Sequence, residues 1–172
     1  MKKARNILGK ALVFGAGSSA CAAELSRIKE IVRSRHIEPL PNSSQRIAGI
    51  INVRGEIIPV LSGKWCGMPE DLPHSGDLSY SILLLQFQGE IIGVAIKHVK
   101  GIEDIHAYDL GSLAEMEGSP LKNLISCSVL LSNSGAVPLL DVKLIIEYLK
   151  SGDPSAQSEP EKKQAVYKDG TL

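Results

Sequence analysis

Between Ile47 and Pro69 the chain reads IAGIINVRGEIIPVLSGKWCGMP, and this stretch narrows the possible folds more than any other. Two apolar, β-branched runs of strand length, Ile47–Ile51 and Ile57–Leu61, flank Asn52-Val53-Arg54-Gly55. Asn, Arg and Gly between such runs supply turn chemistry. Pro59 has no amide proton to give to a sheet ladder, so it marks an edge or a bulge. The stretch reads as two short strands around a tight bend that presents one arginine.

The rest of the chain follows the same pattern. Ala11–Phe14 reads as a strand, Gly15–Ser19 as a turn and Ala20–Ala23 as a weaker strand. Leu25, Ile28, Ile31 and Val32 recur at helical spacing, which predicts a short amphipathic helix over Glu24–Arg33. His36–Leu40 is a brief strand stopped by Pro39 and Pro41. Gly67 to Asp77 is rich in Pro and Gly and marks a subdomain boundary near 67–78. Beyond it, Ser79–Phe87 and Ile91–Lys97 form a hairpin around Gln88-Gly89-Glu90, and Val99–Ile105 is a further strand. Asp109–Ser119 is polar and reads as loop with a turn of helix. Leu121–Leu131 and Ala136–Leu140 are the last strands, turning at Ser132–Gly135. Asp141 is placed to cap a helix running to Lys150, with Val142, Ile145, Ile146 and Leu149 on one face. Residues 151–172 are polar and almost free of large apolar side chains, the composition of a disordered tail.

Gly55 to Ser62 echoes Gly135 to Asp141 with one residue removed, each a Gly-led strand with a late proline and a capping residue after it. Such a repeat, with short strands joined by Gly- and Pro-rich turns, predicts a mainly β fold of two small, partly closed barrels.

Composition sets the outer limits on function. At 172 residues and 44% apolar, the chain can bury one full core or two subdomains sharing one. Nineteen basic residues balance nineteen acidic ones, so no global field attracts nucleic acid or anionic lipid. Aromatics at 4% argue against stacking platforms for bases or sugars. Three widely spaced cysteines, Cys21, Cys66 and Cys127, suit reduced thiols in a cytoplasm. No eighteen-residue apolar run exists to span a membrane. Met1–Arg5 with the Ser18-Ser19-Ala20-Cys21 box loosely resembles a lipoprotein signal. Lys10 splits its apolar region, however, so residues 1–10 read as an N-terminal arm.

Catalytic signals are thin. Gly15-Ala16-Gly17-Ser18-Ser19-Ala20 fits G-x-G-x-x-A, which in a nucleotide-binding enzyme admits a pyrophosphate to a helix N-terminus, with Glu38 placed for the ribose. The same glycines serve a hairpin turn equally well, and hairpins from Ile47 to Leu140 favour that reading. His36, His74, His98 and His106 show no metal-ligand spacing; His36 and His98 read as surface residues. Cys66 beside Trp65 reads as a buried, unreactive thiol. No cofactor is expected.

Gly49, Asn52, Arg54, Gly55, Pro59 and Val60 fall on the pattern G-x-x-N-L-R-G-x-x-x-P-V-x-D-L-R. By these residues the chain resembles the chemotaxis coupling protein (CheW) family, over roughly Ala11 to Lys150. The resemblance implies two five-stranded SH3-like barrels across a shared apolar core, with a short helix in the first and a C-terminal helix. It implies a cytoplasmic, non-enzymatic adaptor with two partners, the regulatory domain of a histidine kinase and the cytoplasmic tip of a chemoreceptor. It also implies that Arg54 pairs with Glu30, that Ile28, Val99 and Ile102 line a receptor-facing groove, and that Gly49, Asn52 and Gly55 shape the supporting turn. Two departures stand out: Ser62-Gly63-Lys64 replaces D-L-R, and Ile96-Lys97-His98-Val99 replaces V-D-x-V, reversing a charge. A charge reversal at a rim changes partner choice more than folding. A scaffold of this type serving another signalling system is the alternative.

Overall fold

The computed structural model describes residues 6–33, 36–66, 80–109 and 120–151, and among them the apolar runs form ten strands and one α-helix. They are β1 (Gly9–Ala16), β2 (Ser19–Glu24), β3 (Ile28–Arg33), β4 (Ile47–Val53), β5 (Glu56–Leu61), β6 (Ser81–Phe87), β7 (Glu90–Ile96), β8 (Val99–Asp109), β9 (Ile125–Leu131), β10 (Gly135–Leu140) and α1 (Val142–Lys150). The predicted boundary loop, the 110–119 segment, His74 and the tail from 152 lie outside the described residues, as do the side chains of Trp65 and Cys66.

Two five-stranded sheets result. One is a closed barrel in the order β1-β2-β10-β9-β8; the other runs β3-β6-β7-β5-β4. Written from β8, the barrel order is β8-β1-β2-β10-β9, which matches the second sheet term by term. The sequence repeat falls on equivalent strands. β5 lies parallel to β7 at Val60 and Gly93, and β10 lies parallel to β2 at Leu139 and Ala22. The copies differ at one place. β8 pairs with β9 and closes the barrel, whereas β3 and β4 do not pair, so the second sheet keeps a seam.

Both faces of the central strands are buried, which is why they read as apolar runs rather than as alternation. On β1, Ala11 and Val13 point into the barrel with Ile105, Val129 and Val137. Leu12, Phe14 and Ala16 point the other way, into a core shared with Leu83, Leu85, Ile92, Val94 and Ile96 of the second sheet. On β6, Ile82 and Leu84 turn to the concave side with Ile51, Val53, Ile58 and Val60. The α-helix completes the shared core with Val142, Ile145 and Ile146. Its first turn is capped as predicted: Asp141 Oδ1 accepts from the Lys143 and Leu144 amides at 3.0 and 3.3 Å. At the other end Arg46 donates to the Tyr148 and Ser151 carbonyls, both at 2.6 Å, placing a cation where the helix dipole is negative.

Three local expectations are corrected. Glu24–Arg33 is not an amphipathic helix: Leu25–Arg27 is one 3-10 turn, and Ile28–Arg33 is strand β3, paired with β6. A register shift between Ile28 and Glu30 breaks the strand's alternation and imitates helical spacing. His36–Leu40 reduces to a single bridge from Glu38 to Ile50. The strand predicted over Leu121–Leu131 begins only at Ile125, after a 3-10 turn over Pro120–Asn123.

That bridge explains Gly49. Its φ is +155°, and a Cβ there would lie 2.3 Å from the Glu38 carbonyl oxygen. Gly49→Ala should lower stability by about 2–4 kcal/mol through backbone strain and loss of the bridge. Thermal denaturation checks this, and an unchanged melting temperature would show that the Glu38 segment yields freely.

Candidate partner-binding site

The hairpin of β4 and β5 turns on two residues, Arg54 (φ 54°) and Gly55 (φ 87°), between the paired Val53 and Glu56. Two left-handed central residues make the type I′ turn, whose twist suits a hairpin. Glycine adopts this conformation freely, but for arginine it costs about 1–2 kcal/mol. Asn52 fixes the bend, its Oδ1 accepting the Gly55 amide at 2.8 Å.

From that position Arg54 reaches Glu30 on β3. Nη1 donates to Oε1 and Nη2 to Oε2, each at 3.0 Å, a bidentate pair. Lys29 and Glu56 pair alongside at 2.8 Å with the charges reversed. Both links run from β3 to the tip of the β4–β5 hairpin, across the seam that the backbone leaves open. Arg54 is 77% exposed, and exposed ion pairs contribute at most about 1 kcal/mol. That gain roughly offsets the strained turn. The pair therefore adds little net stability; its effect is to hold a planar charged surface in one geometry.

The apolar residues expected beside it are placed by strand register, since directly opposed residues share a sheet face. Ile28 opposes Leu85 on β6, while Val99 and Ile102 oppose Phe14 and Leu12 on β1. Ile31, which sequence reasoning passed over, opposes Leu83. All four opposed residues belong to the shared core. Ile28 is half-buried, but Ile31, Val99 (44%) and Ile102 (56%) carry the core's apolar faces out to solvent. Glu30, Arg54, Asn52 and Gly55 thus meet directly, and Ile28 lies two residues away on β3. Val99 and Ile102 come from the barrel, and Gly49 sits at the Glu38 bridge instead. Asn52 and exposed Ile57 also border a hollow of about 420 Å³ with His36, Glu38, Ile50 and Ile51.

The barrel has a counterpart of the Glu30 link. Glu103 stands on β8, the strand equivalent to β3, and receives the turn between β9 and β10. Its carboxylate accepts the Asn133 and Ser134 amides at 2.8 and 2.9 Å and the Ser134 hydroxyl. Burial pushes its pKa up, but these bonds and the Lys100 charge outweigh it and hold the carboxyl below its ordinary value. No sequence signal linked Glu103 to a turn thirty residues away.

The glycine loop is not a phosphate cradle. Ala16 pairs with Ser19 around Gly17-Ser18, and strand β2 follows instead of a helix. Gly15 has no side chain because the His98 ring lies against it, where a Cβ would come within 2.4 Å of Cε1. His36 and His98 are exposed, as expected. Cys21 is buried in the shared core, and burial raises the Cys127 thiol pKa, so neither is a ready nucleophile. Among the described residues no three His, Cys, Asp or Glu converge on a metal position, and no helix is long and apolar enough to cross a membrane.

Two five-stranded β sheets thus share one core, with a pinned charged turn and exposed apolar residues at their margins. A family model for the CheW-like domain matches residues 10–150. The chain belongs to the CheW-like family, and its function is that of a chemotaxis coupling adaptor. It is 27% identical over 139 residues to the chemotaxis protein CheW of Thermotoga maritima, covering 79% of this chain and 86% of that one. It is 25% identical over 103 residues to the chemotaxis protein CheW of Treponema pallidum, covering 59% and 61%. The crystal structure of the scaffolding protein TtCheW from Thermoanaerobacter tengcongensis has the same fold, with a TM-score of 0.66 at 17% identity, over 84% of this chain and 92% of that one.

Two measurements test this geometry. Arg54→Gly removes the ion pair and the turn strain together, so urea denaturation should find stability within about 1 kcal/mol of the parent. A loss of several kcal/mol would make the pair a stabilising element. Glu103, with its lowered pKa, contributes stability that is present above the ordinary carboxylate range and lost as pH falls through its folded value. Glu103→Gln should therefore flatten the decline of melting temperature on acidification below about pH 5. A decline as steep as the parent's would remove Glu103 from the account.

Proposed function

We propose that this adaptor couples the cytoplasmic tip of a chemoreceptor to the regulatory domain of a chemotaxis-type histidine kinase, without catalysis of its own. The observation that carries the receptor half is the Arg54–Glu30 pair, kept at a strained turn for little net stability. Strain held by surrounding contacts is characteristic of binding surfaces. Ile31, Val99 and Ile102 supply apolar area of the kind that contributes most at an interface core. Ile28, Glu30, Arg54, Val99 and Ile102 form the receptor-facing groove in this reading, with Asn52 and Gly55 setting the turn and Gly49 seating β4.

A second exposed apolar set supports a second partner. Ile7, Leu8, Leu25 and Tyr108 are exposed on the barrel, and the last three border a hollow of about 190 Å³. The kinase regulatory domain, a related barrel fold, is assigned to this face. The mechanism is positional. Holding receptor and kinase together raises their effective concentration, and receptor movement shifts the kinase between its states. Both partners are cytoplasmic domains, which places the adaptor there.

Arg54→Glu sets two carboxylates facing each other across the seam. A calorimetric titration with a soluble receptor fragment should show binding weakened at least tenfold, with the melting temperature nearly kept. Unchanged affinity would sink the groove assignment.

A further inference from the structure

Alternate residues of a strand share a face, and on the outer face of β5 these are Leu61, Pro59 and Ile57. Burial falls along them. Leu61 lies in the shared core, Pro59 is half-buried and Ile57 is 57% exposed. On β4, Ile50 stands opposite Pro59 and Asn52 opposite Ile57. One apolar strip therefore starts in the core that α1 completes and ends bare, at the hollow of about 420 Å³. That volume is in the range of pockets that bury a ligand. Among the described residues lining it, Glu38 is the only carboxylate, and it forms no ion pair.

The end of α1 delivers the chain to the head of this strip. Arg46, the residue before β4, stacks over the Tyr148 ring at 4.2 Å and donates to the Ser151 carbonyl. Ser151 leaves helical geometry there, at φ −74° and ψ 83°. Residues 152–172 follow, and their longest apolar run is Ala165-Val166-Tyr167, set between Lys162-Lys163 and Lys168. From Ile47 to Asn52 the strand advances about 17 Å. A coil as long as residues 152–163 has a root-mean-square span of about 20 Å, close to that advance. A linker whose reach matches its span gives an effective concentration in the millimolar range. Contact of only millimolar affinity then keeps the site about half filled.

We infer that residues 164–168 of this same chain seat in that hollow, with Val166 and Tyr167 against Ile50 and Ile57 and a flanking lysine at Glu38. The occupant is the chain's own tail because it begins at the strip, carries one apolar run within reach, and offers the charge that Glu38 lacks. The rest of the tail is polar, so the contact is confined to these few residues. Any protein that uses this face must first displace the tail. The tail is therefore a built-in competitor, whose strength is set by its length and by this one run. The receptor and kinase assignments rest on other apolar residues and do not depend on it.

The test is methyl and amide nuclear magnetic resonance on the full chain. Val166→Asp/Tyr167→Asp should move the Ile50 and Ile57 methyl resonances, while Ala156→Asp, outside the run, should leave them in place. Conversely, Ile57→Asp, at an exposed position, should lower the heteronuclear NOE of residues 164–168 to the values seen in the Val166→Asp/Tyr167→Asp chain. Ile50 and Ile57 methyls unmoved by the double substitution would overturn the inference and leave the hollow to another protein. Movement confined to methyls elsewhere, such as Ile102, would overturn it by placing the tail on a different face. Parent resonances at Ile50 and Ile57 that shift with protein concentration would assign the hollow to a second copy instead.

Discussion

A β-strand has two faces, and the architecture of this protein follows from burying both on the same strands. Leu12 and Phe14 leave the barrel for the shared core while Ala11 and Val13 stay inside it; Leu83 and Leu85 do the same opposite Ile82 and Leu84. Neither sheet can withdraw without exposing the apolar face of the other, so the two behave as one body. At roughly 25 cal/mol per Å² of apolar surface, this double burial is the main favourable term available to the fold. It also fixes which apolar residues remain exposed. Strands at the margin of the shared core, β3 and β8, expose the outer ends of apolar faces that are sealed further in.

The seam between β3 and β4 shows where the duplicated plan was altered. In the barrel, equivalent strands close with a backbone ladder, and a glutamate on β8 grips the adjoining turn through its amides. In the second sheet the ladder is absent, and the glutamate on β3 grips its turn through an arginine side chain. Exchanging backbone amides for a guanidinium brings a charge to the surface at the cost of a left-handed arginine. Two halves of one molecule thus solve the same closure problem, one with backbone amides and one with an exposed ion pair.

Much of this was legible in the sequence. The β4–β5 hairpin, the turn at Gln88-Gly89, the cap at Asp141 and the equivalence of Gly55–Ser62 with Gly135–Asp141 all came from local chemistry, which short strands and tight turns express strongly. Glu24–Arg33 failed because a strand with an irregular register has the same apolar spacing as a helix, and only pairing with β6 decides between them. The Glu30–Arg54 pair was reached through family resemblance, since no spacing rule joins residues on different strands. Ile31 and Glu103 were missed for the same reason. Their roles exist only once β3 lies on β6 and β8 approaches the β9–β10 turn.

The central claim is that one small scaffold holds two proteins at once by separate faces. Sedimentation of the chain mixed with a soluble receptor fragment and the kinase regulatory domain tests it most directly. The account predicts a three-component species that disappears when the chain is left out. Competition between receptor fragment and kinase domain for the chain, with only binary complexes at saturating concentrations, would contradict it.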